Sequence, residues 1–291
     1  MKESFCIKSA YQNNTPLRRS LSALAEKTFG FSLEPFYEMK AWNEKYIPFS
    51  IVRDGSVAAN VSINRVSMLA RAHQYHPIQI GTVMTDPAFQ KRGYARTLLE
   101  HVLETACADA SFIFLFANEH VLSFYPKFGF TEREEHEVVF RAEDLLSSHY
   151  SCRPLNPDCA GDLSRLRRAM IAAQPVSPVV SVQDNVSLIR FYTEYTMRGN
   201  CVWLEPLNAV ALVEREGDTV FLLDILSRSS INPEEAAACV CKDAAEVVLG
   251  FMPDLNALSI PYTLRKHDDH LFVRGNFPLD EPFLIPFLAR A

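Results

Sequence analysis

The residues most suggestive of chemistry form one short run, Gln90-Lys91-Arg92-Gly93-Tyr94-Ala95, followed by Arg96 and a helical pattern. A helix usually starts with Ser, Thr, Asp or Asn and early acids, because its first turn has unpaired N–H groups and a partial positive charge. Here two cations and a glycine take those places, which opposes the dipole unless an anion arrives from outside. A strand, a tight turn and a glycine-led helix gather several backbone N–H groups around one point, and that point suits a phosphate. Gly93 removes a side chain where a ligand would lie against the backbone, and Ala95 keeps the next contact small. Lys91, Arg92 and Arg96 add charge for phosphate oxygens. There is no Gly-x4-Gly-Lys-Ser/Thr and no Gly-x-Gly-x-x-Gly, so neither a triphosphatase loop nor a dinucleotide-binding turn is supported.

The elements that must hold this run read as mixed α/β. Leu17 to Phe31 has helical spacing and meets Gly30, and a second short helix is expected over Phe36 to Asn43. "YIPFSIVRDGSVAANVSI" is a hairpin turning at Asp54-Gly55. "PIQIGTVMTDP" is a strand, Gln90 to Ala108 a helix with Leu98, Leu99, Val102 and Leu103 on one side, and "SFIFLFAN" a strand buried on both faces. A helix near His120 to Phe128 and a last strand at His136 to Arg141 complete the first half. The pattern then breaks into Ser, Pro, Asn and Cys around Leu146 to Pro157, and a second series of the same order follows, closing with "HLFVRGN". Strands Phe112–Phe116 and Val247–Phe251 occupy corresponding places, as do those around Val138 and Phe272. This is the pattern of an internal duplication, with units at 1–145 and 153–291 joined by a linker at 146–152.

"GTVMTDPAFQKRGYARTLLEHVLE" resembles the strand-turn-helix of the GNAT superfamily of acyl-CoA-dependent N-acetyltransferases, with its Gln/Arg-x-x-Gly-x-Gly/Ala element at Gln90–Ala95. "FLFANEHVLSFYPKFGF" is similar to the family's second signature, an Asn before a helix that ends in Tyr-x-x-x-Gly-Phe; here these are Asn118, Tyr125, Gly129 and Phe130. The resemblance covers about residues 45 to 141. It implies a mixed α/β fold of two tandem GNAT-like domains, the first with an acyl-CoA site between splayed central strands. Val83, Met84 and Thr85 would offer backbone groups to the pantetheine arm. The amides of Lys91–Arg96, beside Gln90, would hold the pyrophosphate, and Asn118 would contact the cofactor or hold the strand end. Tyr125 would protonate the leaving thiolate, a role that suits a phenol because it is a neutral donor at pH 7. Its alternative is a ring packed under Gly129-Phe130. The implied reaction is direct attack of a primary amine on acetyl-CoA, with no metal. It needs a base or a water chain, for which Glu34, Glu38, Glu44, Asp86, Glu119 and His120 are candidates and none stands out.

The second half departs from this pattern. After "VFLLDILS" comes "RSSINPEEAAACV", with Glu234 and Glu235 at the helix start, where two acids would repel a pyrophosphate. Tyr262 lacks a following Gly-Phe. A degenerate second domain is therefore expected, shaping the acceptor pocket or a homo-oligomer interface. Residues 1–149 hold 16 Lys/Arg and 17 Asp/Glu, and residues 150–291 hold 13 and 18, within a net charge of −6. That balance argues against non-specific nucleic-acid binding and gives a weak hint of a cationic acceptor such as a polyamine, an aminoglycoside-like amine or a lysine side chain. Seven irregularly spaced cysteines lack zinc spacing; Cys107 reads as packing, and the pairs His73/His76 and His267/His270 lack partner ligands. No membrane-length apolar run is present, so a cytoplasmic protein is expected. The competing reading is an acyl-CoA-binding regulator with little turnover.

Overall fold

The computed structural model describes residues 5–145, 152–171 and 173–291. Residues 146–151 of the expected linker lie outside the described residues. The first helix, Thr15–Phe29, has Asn14 accepting the N–H of Leu17 at 3.2 Å, Pro16 in its first turn and Gly30 at φ 79° beyond its end. It buries Leu21, Leu24 and Ala25 against Leu33, Phe36 and Trp42. The second short helix is Glu34–Glu38, earlier than its sequence pattern suggests.

Two seven-stranded mixed sheets carry the fold, and they do not divide where the sequence does. The first runs Cys6–Ser9, Tyr46–Arg53, Ser56–Arg65, Ile78–Thr85, Phe112–Ala117, His270–Gly275, Thr131–Arg133. The second runs Cys152–Pro154, Cys201–Leu204, Ala209–Glu216, Thr219–Leu226, Glu246–Leu249, His136–Arg141, Thr263–Lys266. The two strands expected to close their own halves are exchanged. Strand 270–275 pairs antiparallel with 112–117, Phe272 opposite Leu115, while strand 136–141 pairs with 246–249, Val139 opposite Val248. Each exchanged strand follows a short turn and has the same alternating apolar pattern, so either sheet accepts it by local rules. Long-range packing decides: Val138 and Phe140 enter a core with Val247, Leu249 and Leu222, and Phe272 enters the other with Tyr125 and Leu115.

The crossing point is polar and buried. Glu135, with no exposed surface, accepts the backbone N–H of Ile285 at 2.7 Å and the Arg290 guanidinium at 3.1 Å. Arg290 also pairs with Asp269, donates to the Ile285 carbonyl and lies 4.4 Å over the Phe116 ring. The backbone N–H of His267 donates to the Glu135 carbonyl at 2.9 Å, tying the two crossing turns together. A small third sheet, in which Val180–Gln183 pairs with Ser67–Ala70 and that with His73–Tyr75, joins the halves again.

Two expected helices change. The cofactor-side helix is Tyr94–Thr105, beginning after Gly93 rather than at Gln90, because Lys91 and Gly93 both take positive φ (61° and 80°). The helix expected over His120 to Phe128 is two 3₁₀ turns, Glu119–Val121 and Tyr125–Phe128; Pro126 supplies no N–H to continue an α-helix there. Among the described residues no helix is long and apolar enough to cross a membrane.

Candidate acyl-CoA and acceptor site

Strands Ile78–Thr85 and Phe112–Ala117 are parallel neighbours only at Ile78/Ile113 and Gln79/Phe114, and then they part. The parting follows a bulge: opposite strand 56–65 the register slips between Asn60 and Ser62, and Thr82 takes φ 43°. A β-branched residue at positive φ is strained, and a buried hydroxyl network holds it. Tyr46 and Thr82 hydroxyls are 2.8 Å apart, the Asn60 amide donates to the Thr82 carbonyl at 2.9 Å, and Ser62 links to Tyr46 at 3.0 Å.

The gap between the parted strands opens into a cleft of about 450 Å³, which is room for an extended arm. Val83, Met84, Thr85, Gln90, Ala95, Asn118 and Tyr125 all line it. It continues past Thr85, Gln90 and Ala95 into a second hollow lined by Lys91, Gly93, Tyr94 and Arg96. The helix start at that hollow has no side-chain cap and no acid in its first turn, so its N–H groups face outward without an internal anion. Of the residues expected to bind the cofactor, Arg92 alone lines neither space; its guanidinium lies 5.3 Å over Phe89. Arg96 pairs with Glu100 at 3.4 Å.

Tyr125 is buried in the cleft wall, its ring packed by Phe124 at 5.3 Å, Phe272 at 5.8 Å and Phe130 at 6.1 Å. Burial pushes its phenol up to about 12, so it carries its proton at neutral pH. Phe272 comes from the exchanged strand, so the second half supplies part of the wall behind the candidate acid. None of the six candidate bases lines the cleft. Glu34 pairs with Arg18 at 2.9 Å, and Asp86 accepts the Ala88 N–H and the Lys27 ammonium. Burial pushes the Cys107 thiol up to about 11, as befits a packed thiol. His267 is pushed down to about 4 by burial, and His270 contacts Glu132 at 2.7 Å. Among the described residues no group of three metal-ligating side chains forms.

Sequence reading missed a second cleft. It lies between the halves, where Phe31, Phe36, Tyr46 and Val66 face Leu188 and Phe191, and it shares Phe31, Thr82 and Ala291 with the acyl cleft. The Ala291 backbone oxygen accepts from the Gln79 amide at 3.3 Å. Residues 31–82 of one wall stand 100 or more positions from residues 182–192 of the other, so no local motif could have revealed it.

In the second half the equivalent opening is closed. Strands Thr219–Leu226 and Glu246–Leu249 pair in parallel as far as Leu222/Leu249. A Cβ at Gly250 would then overlap the Leu223 carbonyl, so the strand ends stay close. The turn Phe287–Ala289 bridges them: Phe287 N–H donates to the Gly250 carbonyl at 3.1 Å, and Leu288 N–H to the Asp224 carboxylate. The helix Pro233–Val240 is capped by Asn232, which accepts the Glu234 N–H at 2.8 Å, and Glu234 itself accepts from Ser259 and Ile260.

Asp224 gives a test of this closure. Burial pushes its carboxyl up to about 7, above the ordinary 3.8. Between those values the unfolded chain has lost the proton and the folded chain keeps it. The contribution to stability is therefore whole below about pH 4 and is lost as pH rises to about 7. Asp224→Asn, which keeps an acceptor for Leu288, is expected to raise the melting temperature at pH 8 by more than at pH 4.5. Thermal melts across that range check it, and an equal shift at both pH values contradicts it.

Residues 18–130 match the family described as acetyltransferase (GNAT). No curated protein matches the chain in sequence. Among solved structures, a conserved protein of Enterococcus faecalis is similar over 94% of this chain and 73% of its own, with 11% identity and a TM-score of 0.62. Eis1 of Mycobacterium abscessus is similar over 93% and 73%, with 11% identity and a TM-score of 0.58. A GCN5-related N-acetyltransferase of Kribbella flavida is similar over 92% and 71%, with 13% identity and a TM-score of 0.54. At these identities the likeness is one of fold, and it extends over both sheets. Residues 18–130 thus match the acetyltransferase (GNAT) family, within a chain whose two sheets share the fold of these structures.

Proposed function

We propose that the chain is an acyl-CoA-dependent N-acetyltransferase with one active site, in the unit 1–145, and that the unit 153–291 has lost cofactor binding. The observation that carries this is the continuous space from the uncapped helix start at Gly93 to the buried phenol of Tyr125. Acetyl-CoA would lie with its pyrophosphate on the amides of Lys91–Arg96 and its pantetheine arm along Val83–Thr85. Asn118 lines the cleft just after the neighbouring strand. The neutral amine attacks the thioester carbonyl carbon, the new C–N bond forms and the C–S bond breaks. The nitrogen's surplus proton leaves to solvent water, and the sulfur takes a proton through Tyr125, which solvent restores. A primary amine enters from the second cleft, which meets the first at Thr82.

The regulator reading draws on a specific observation, that none of the candidate bases lines the cleft. Amine-dependent release of CoA thiol from acetyl-CoA separates the two. An acyltransferase turns over acetyl-CoA many times per chain, whereas a regulator binds it and releases no thiol.

A further inference from the structure

The second cleft has a chemical character that the composition of the chain does not suggest. The acidic balance of the second half pointed weakly to a cationic acceptor, but six of those acids are held by partners away from this cleft. Asp162 is bound by Arg153 and Arg165, Glu194 by Arg167 and Arg190, and Asp158 by Arg198. Glu246 pairs with Arg265, Asp269 with Arg290, and Glu234 caps Ser259. Among the described side chains that line the cleft the one carboxylate is Asp184, which is exposed, against two cationic residues, Lys45 and Arg65; the backbone of Ala291 lines it as well. Such a lining disfavours a polycation.

What the cleft offers instead is aromatic. Phe191 is set 5.3 Å from Phe31 and 5.5 Å from Phe36, both edge-on, and Phe36 is 6.0 Å from Tyr46. Cross-half bonds hold this cluster: Asn43 to Ser187 at 2.7 Å, Lys45 to the Asp184 carbonyl at 2.8 Å and Arg190 to the Met39 carbonyl at 2.9 Å. The cavity volume is about 130 Å³. An apolar cavity of roughly 150 Å³ takes one benzene ring, so the space is close to that of one ring. Its inner end is the Thr82 hydroxyl, where it meets the acyl cleft.

We infer that the acceptor is a monoamine carrying a single aromatic ring on a short chain, its ring held against Phe191 and its nitrogen delivered at Thr82. This rests on the acyltransferase reading and names the substrate class of that same site. The purified full chain is assayed for CoA release with 2-phenylethylamine and with spermidine, alongside calorimetric titration of acetyl-CoA. The expected result is a kcat/KM for 2-phenylethylamine about 30-fold or more above that for spermidine, the value of burying one ring. Phe191→Ala should lower the 2-phenylethylamine value about tenfold, leave spermidine within about threefold and leave acetyl-CoA affinity unchanged. Leu188→Asp, which adds an acid to the lining without removing a ring, should narrow or invert the preference. Spermidine preferred, or no preference, overturns the inference. Acetyl-CoA bound with neither amine acetylated also overturns it while leaving the acyl-CoA site intact. Absence of acetyl-CoA binding removes the acyltransferase reading as well.

Discussion

Tyr125→Phe is expected to lower kcat for acetyl transfer about 100-fold while leaving acetyl-CoA affinity within about twofold, the lower end of what a positioned proton donor contributes. The phenol, pushed up to about 12 by burial, stays protonated at neutral pH. A thiol has an ordinary pKa of about 8.5, so complete transfer of the proton to a finished thiolate is uphill. The help must come while charge develops on sulfur, as a hydrogen bond made only in the transition state. Phenylalanine keeps the ring and its contacts with Phe124, Phe130 and Phe272. The fold and the acyl cleft should therefore survive. Single-turnover rates for both proteins measure the effect, and a change below about threefold would return Tyr125 to a packing role.

Arg290→Ala carries the largest expected cost in stability. It takes the cation from the buried Glu135 carboxyl, which burial pushes up to about 7 even beside that cation, and leaves it one backbone donor, Ile285. Removing one partner of a buried pair costs about 3–5 kcal/mol. For a chain of this size that corresponds to roughly 10 °C in melting temperature. Glu135→Gln in the same background is neutral without taking up a proton and should recover part of the loss. The pair sits where the strands exchange and beside Phe116, a wall of the acyl cleft. Acetyl-CoA affinity should therefore weaken along with the fold. A melting temperature within about 2 °C of the parent, an effect below 1 kcal/mol, would contradict the role given to this network.

What could be seen in the sequence divides along physical lines. The turn at Gln90–Ala95 was legible because the elements that make it, a strand end, a positive-φ glycine and an uncapped helix, are contiguous. Tyr125 was legible for the same reason. The α/β order and the closed helix start at Glu234 followed from local pattern and charge. The exchange of strands 136–141 and 270–275 was not legible, because "HEVVF" and "HLFVR" alternate alike and fit either sheet edge. Nor was the second cleft, which the cross-half packing of residues 31–66 against 182–192 creates. The weak hint of a cationic acceptor rests on net charge alone. Net charge records how many acids a chain has, and geometry decides which remain free.

The most direct test of the central claim is a calorimetric titration of the full chain with acetyl-CoA, read for stoichiometry as well as affinity. The account predicts one site per chain. Gly93→Glu should abolish it, since the new carboxylate would stand where the pyrophosphate belongs. Gly93→Ala should only weaken it, because that position has open space around it and φ 80° costs an alanine about 1 kcal/mol. Two sites per chain would contradict the closure of the second half by Phe287–Ala289. No site would contradict the phosphate reading of Gln90–Ala95 and the acyltransferase assignment built on it.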